Sequence, residues 1–219
     1  MPPMSDDERV TRGMKSLLGD RRRALAHDDR ALGWKLGFGT EAAMEKLGID
    51  GALVGYLLES GRLESGAIVD ISNWGNPRLE PEIVVRVADD GGIAALGAAI
   101  ELIDLDPSVS DPEEILAAGI FQRHVMLGPV TEGATLEGVS LQVLVNGEEV
   151  AATDDITAAT GDLAGLLTHV AKTLKAAGES LERGDMVICG SIVPALEIAA
   201  GDAVEVRLEP LGRLAVSFE

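Results

Sequence analysis

The sequence predicts an α+β protein: an N-terminal helical segment over residues 1–31, then a β-rich unit over residues 32–219 folded into a mixed β-sandwich roll. Three observations predict it. Helix-spaced apolar residues crowd the first thirty positions. From residue 50 onward short alternating runs are punctuated by Gly and Pro. One strongly periodic helix, at 162–177, interrupts those runs.

The elements follow in order. Ser5-Asp6-Asp7-Glu8 reads as a capping box, with Val10, Met14, Leu17 and Leu18 at helical spacing behind it. Gly19-Asp20 is expected to break this helix, and residues 21–32 to form a second. Alternation makes Leu32–Gly39 a strand, and Thr40 caps a short helix that ends before Gly48. "RLEPEIVVRV" (78–87) reads as a strand, and Ile100, Leu102 and Leu105 suggest another, buried one. Asp111-Pro112-Glu113-Glu114 opens a short helix. Val139, Leu141, Val143 and Val145 alternate up to the Asn146-Gly147 hairpin turn. In the long helix Leu163, Leu166, Leu167, Val170 and Leu174 share a face, His169 is read as a surface residue, and Gly178 closes the helix. Gly184-Asp185 and Gly201-Asp202 then feed alternating strands. The second turns Val204, Val206 and Leu208 inward.

Composition narrows the function. The 219 residues are 46% hydrophobic but only 3% aromatic, so Leu, Val, Ile and Ala must build the core. With 18 basic against 37 acidic residues the formal net charge is −19. That argues against nucleic acid and anionic membrane surfaces as partners, because both need basic patches. A single cysteine, Cys189, excludes an internal disulfide and a cysteine zinc cluster. With no signal-peptide pattern and no membrane-length apolar run, a cytoplasmic protein is expected.

Strand alternation sets Leu79, Pro81, Ile83, Val85 and Val87 on one face and Arg78, Glu80, Glu82, Val84 and Arg86 on the other. Two adjacent carboxylates repel each other. Either they lie in solvent beside Arg78 and Arg86, or a divalent cation sits between them. Glu101, an acid between Ile100 and Leu102 in an apolar run, needs a partner and is a natural third ligand; Asp104 and Asp106 compete but border a loop. Lys35 shares its face with Gly33, Gly37 and Gly39, which leave room for close approach. It is either a solvated lysine or a confined general acid–base. No G-x-S-x-G, H-E-x-x-H, Walker A or G-x-G-x-x-G motif is present.

"GWKLGFGTEAAMEKLGID", "PRLEPEIVVRV", "AAIELID", "HVMLGP" and "GDMVICGSIVPALEIAAGDAVEVRLEPLGRLAVSF", in this order, resemble the fumarylacetoacetate hydrolase superfamily, in its 2-keto-4-pentenoate hydratase and 4-oxalocrotonate decarboxylase branch. The resemblance implies the fumarylacetoacetase C-terminal-like roll and a Mg²⁺ or Mn²⁺ site with Glu80, Glu82 and Glu101 as ligands. It places the family's active-site lysine, in its G-x-K-[VL]-G motif, on Lys35, and substrate contacts on Leu36, Gly190 and Ser191. The implied reaction is a lyase's: a 2-oxo acid chelates the cation, developing enolate charge is stabilised there, and Lys35 assists proton transfer. A hydratase would add water to a short unsaturated 2-oxo acid, such as 2-hydroxypenta-2,4-dienoate, in aromatic meta-cleavage catabolism. A 4-oxalocrotonate-type decarboxylase, with Arg123 the nearest basic candidate for its second anion, or an acylpyruvate-type C–C hydrolase would use the same metal site. A non-catalytic accessory homologue is the remaining alternative. A homo-oligomer is expected, open to association with a pathway partner enzyme. The chain departs from the family pattern at Gly51-Ala52-Leu53-Val54-Gly55, which lacks an aspartate. It also departs at Gly119-Ile120-Phe121-Gln122, where Gln122, Arg123 or His124 could replace lost polar groups, and at Thr160-Gly161-Asp162-Leu163.

Overall fold

The computed structural model describes residues 7–219. Ser5 and Asp6 of the expected capping box lie outside them, and Asp7 itself caps the first helix, its carboxylate accepting from the Arg9 amide. That helix, α1 (Glu8–Ala26), runs unbroken through Gly19-Asp20. The expected second helix over 21–32 is instead the rear of α1 and the start of the first strand. A mid-helix glycine costs only about 1 kcal/mol, and burial of Met14, Leu17 and Leu18 just before it outweighs that.

Strands β1 (Ala31–Gly37) and β2 (Leu53–Leu58) flank helix α2 (Glu41–Leu47), which Thr40 caps and Gly48 ends in a left-handed conformation. The chain continues through β3 (Ala67–Val69), β4 (Pro77–Val87), β5 (Ile93–Asp104), α3 (Pro112–Ala117), β6 (Gln122–Leu127) and β7 (Thr131–Glu132). The hairpin β8 (Ser140–Val145) and β9 (Glu148–Thr153) turns at Asn146-Gly147, both with positive φ. Helix α4 (Leu163–Ala176) and strands β10 (Met186–Ser191), β11 (Leu196–Glu197), β12 (Ala203–Glu209) and β13 (Gly212–Phe218) complete the chain.

Two mixed sheets form. The larger has the order β2-β1-β10-β4-β5-β6, with β11 on β4 and β7 on β5; the smaller has the order β3-β13-β12-β8-β9. β1 runs parallel to β10 and β13 parallel to β3, while the other pairs are antiparallel. The main core lies between the sheets. Leu79, Ile83, Val85, Leu96 and Ile100 from the larger meet Leu141, Val143, Val206, Leu208 and Leu214 from the smaller. The opposite face of the larger sheet has its own apolar cluster of Leu57, Val84, Ala99, Val125 and Ile188. Both faces of β4 are therefore buried, which explains its near-continuous apolar sequence.

Helix α1 packs on α3 at Gly13, where a Cβ would lie 2.8 Å from Leu116 Cβ. His169 is not a surface residue. It is half-buried, its Nε2 lies 2.8 Å from the Ala52 carbonyl, and Gly51, lacking a Cβ, leaves room for its ring.

Candidate functional site

Four consecutive strands of the larger sheet, β1, β10, β4 and β5, build the site. Glu80 on β4 is directly opposite Glu101 on β5, and Glu82 lies two residues along the same face. One oxygen from each carboxylate falls within a 4.8 Å cluster. Lys35 on β1 is in register with Ile188 of β10, which pairs with Val84 of β4, so Lys35 shares the face of the glutamates. Its Nζ donates to Glu101 Oε1 and, at 3.3 Å, to the Ile120 carbonyl.

The solvated readings are overturned for Lys35 and for the glutamate pair. Lys35 is 1% exposed, and Glu82 and Glu101 are fully buried. Arg78 and Arg86 turn away, pairing with Glu197 and Glu132. Gly190, whose φ of +93° aims its amide inward, donates to Glu82 Oε2 at 2.7 Å. Glu82 Oε1 and Glu101 Oε2 are buried with no partner. An unpaired buried carboxylate oxygen is costly. Burial, with the Glu101 charge adding to it and Lys35 opposing, pushes the Glu80 carboxyl up to about 7. Burial drives Glu82 well above the ordinary carboxylate range, helped by Glu101 and Glu80. Burial also raises Glu101, against the pull of Lys35. Three clustered carboxylates that resist ionising, Glu82 and Glu101 buried and Glu80 half-buried, suit a divalent cation with oxygen preference, and the two orphaned oxygens are its natural donors.

A cavity of about 400 Å³ opens beside Lys35 and Glu80. Leu36, Gly190 and Ser191 line it, as do Cys189, Ile120 and Phe121. Ser191 Oγ donates to the Val193 carbonyl at 2.6 Å. Three of its lining residues, Phe38, Ile120 and Phe121, have left-handed backbones, with φ of 55°, 53° and 62°. Such strain costs about 1–3 kcal/mol per residue and gathers at functional sites. The Gly37 and Gly55 positions, where a Cβ would strike Ile120 and Lys35, make room for this arrangement.

Sequence reasoning missed Ile120, because a backbone carbonyl has no side-chain signature; the preceding Gly119, also left-handed, was its only trace. Gln122 and Arg123 do not replace polar groups here. Both line a separate, more polar cavity, where Arg123 pairs with Asp104 and its guanidinium stacks on Trp74. Asp104 is further tied to the amides of Gly75 and Asn76, and Asp106 to Ser108, so neither joins the cluster. His124 stacks on Trp74, also outside the site.

The family model for the fumarylacetoacetate (FAA) hydrolase C-terminal domain matches residues 63–219. A 4-oxalocrotonate decarboxylase of Pseudomonas putida is 28% identical over 218 residues, covering 90% of this chain and 81% of the relative. A 2-hydroxyhexa-2,4-dienoate hydratase of Comamonas testosteroni is 25% identical over 218 residues, covering 88% and 80%. Among solved structures, the 4-oxalocrotonate decarboxylase of Pseudomonas putida G7, complexed with magnesium and adipate, superposes with a TM-score of 0.84 at 23% identity, covering 94% of this chain and 85% of that one. A fumarylpyruvate hydrolase of Pseudomonas aeruginosa, with Mn²⁺ and pyruvate, reaches 0.62 at 14% identity, covering 86% and 89%. With most of its length matched and its sheets arranged alike, the chain belongs to the fumarylacetoacetate hydrolase C-terminal family.

Proposed function

We propose that this protein is a divalent-metal-dependent lyase that adds water to a short unsaturated 2-oxo acid of the 2-hydroxypenta-2,4-dienoate kind. The observation that carries the reading is the cavity beside the carboxylates. Its lining is largely apolar, and among the described residues Lys35, already engaged with Glu101, is its single basic side chain. Such a site has charge for one carboxylate head and none for a second. A relative named as a 2-hydroxyhexa-2,4-dienoate hydratase fits a substrate of that form.

Glu80, Glu82 and Glu101 would hold Mg²⁺ or Mn²⁺. Bound there, the cation would supply positive charge to a substrate carboxylate and Lewis acidity to its 2-oxygen. Lys35 Nζ, held between Glu101 and the Ile120 carbonyl, is positioned to move a proton to or from the substrate skeleton. Leu36, Gly190 and Ser191 supply cavity wall, and the Gly190 amide fixes the orientation of Glu82.

Decarboxylation of a dicarboxylic 2-oxo acid is the second reading, favoured by relatives named 4-oxalocrotonate decarboxylase at 24–28% identity. It needs a second anion site, and Arg123 is committed to Asp104 in the neighbouring cavity. The deciding assay follows ultraviolet absorbance of freshly made 2-hydroxypenta-2,4-dienoate with Mg²⁺ and with chelator. Cation-dependent loss of the dienoate, with 4-hydroxy-2-oxopentanoate as product, is expected. Loss of CO₂ from a dicarboxylic 2-oxo acid, with no hydration, would replace the hydratase by the decarboxylase. Cation-dependent stabilisation without either turnover would leave the accessory homologue.

A further inference from the structure

The cavity is larger, and more apolar at its far walls, than a five-carbon acid requires. Helices α2 and α4 contribute Ala43 and Leu166 to its lining, and the segments beside them add Phe38, Ala52, Leu105 and Phe121. At the roughly 30 Å³ that one water takes up in the liquid, a five-carbon hydroxydienoate of eight non-hydrogen atoms fills about 240 Å³. The cavity offers about 400 Å³. The difference has room for about five more carbon-sized groups.

The hydroxyls in these walls each have a protein partner, and among the described residues the far walls carry no basic side chain. Ser191 Oγ donates to Val193, Thr160 Oγ1 donates to the Ile156 carbonyl at 3.4 Å, and Thr40 Oγ1 caps α2 by accepting from the Ala43 amide at 3.3 Å. The Cys189 thiol is buried against the Val187 carbonyl, and burial pushes its pKa far up. A negatively charged substrate tail would meet no cationic side chain there, whereas a hydrocarbon tail would lose only water.

We propose that the natural substrate is a 2-oxo or 2-hydroxydienoic monocarboxylic acid with an extended apolar tail, seated against Ala43, Ala52 and Leu166. This rests on the reading of the site as a 2-oxo acid site, keeps its chemistry, and replaces the short chain of that reading with a longer apolar one. Ala43 and Ala52 are its specificity-determining residues, because each leaves space that a larger side chain would fill.

Equilibrium binding tests this without turnover. Calorimetry with saturating Mg²⁺ would compare the straight-chain 2-oxo acids from 2-oxopentanoate to 2-oxononanoate, and the dicarboxylic 2-oxohexanedioate. Each buried methylene should tighten binding about fourfold, giving about 250-fold across the four added groups. The dicarboxylate should bind at least about tenfold more weakly than 2-oxohexanoate. In Ala43→Leu the gain should stop at a shorter chain. Equal affinity along the series, or preference for the dicarboxylate, overturns the apolar-tail proposal while leaving the 2-oxo acid site standing. If no member binds with Mg²⁺ present, the 2-oxo acid reading falls and this proposal with it.

Discussion

Lys35 shows how much one side chain can govern here. It lies fully buried against Glu101, in a cluster that contains two further carboxylates. Removing one partner of a buried ion pair leaves an uncompensated group and typically costs about 3–5 kcal/mol. Lys35→Met should lose about that much stability in urea titrations run with chelator, and added Mg²⁺ should restore part of it by taking over the neutralising role. A loss below about 1 kcal/mol would mean that the lysine contributes no more than an exposed pair does. Much of this cluster was legible in the sequence. Period-two alternation places Glu80 and Glu82 on one face, and an acid between Ile100 and Leu102 demands a partner. What could not be read was the register that sets Glu101 directly opposite Glu80, because pairing between strands depends on the whole sheet. Arg123 illustrates the complementary failure. The sequence offers it for a second anion, yet its guanidinium is committed to Asp104 and Trp74 in the neighbouring cavity.

Among the elements, the contact between α1 and α3 has consequences beyond packing. Gly13 lets the two helices approach until a Cβ would lie 2.8 Å from Leu116 Cβ and 3.0 Å from Glu113 Cα. The chain leaving α3 enters the left-handed Ile120–Phe121 step, whose carbonyl receives Lys35. Gly13→Val would force the helices apart at a cost of about 1–3 kcal/mol. Because the displacement passes into residues 118–121, it should also lower turnover by more than the loss of folded protein explains. Thermal melts and specific activity measured on the same samples separate these effects. The helix boundaries themselves show why local rules stop short. Gly19-Asp20 has the composition of a break, and tertiary burial of Leu17 and Leu18 overrides it. By contrast, the Asn146-Gly147 hairpin and the Thr40 cap are set by local chemistry, and both formed where the sequence placed them.

For the whole molecule, the carboxylate cluster exists only when β4 and β5 are paired and β10 supplies the Gly190 amide. A cation held by the cluster therefore binds the folded state and not the unfolded chain. Free Mg²⁺ or Mn²⁺ at a hundred times its dissociation constant should add about 2.7 kcal/mol to unfolding, read as a rise in melting temperature that chelator reverses. In Glu82→Gln that rise should shrink to the level of nonspecific salt. An undiminished rise would place the cation elsewhere.

The strand order β2-β1-β10-β4-β5-β6 also constrains the life of the nascent chain. Lys35 is made before Glu101, but the strand that must lie between their parts of the sheet, β10, is made well after both. Lys35 aligns with Ile188, and at about 5–20 residues per second that partner follows roughly 8–30 s later. Until β10 inserts, the lysine and its carboxylate belong to two unconnected hairpins. The growing polypeptide thus carries no assembled chemistry until β10 has been made, long after the lysine and its carboxylate.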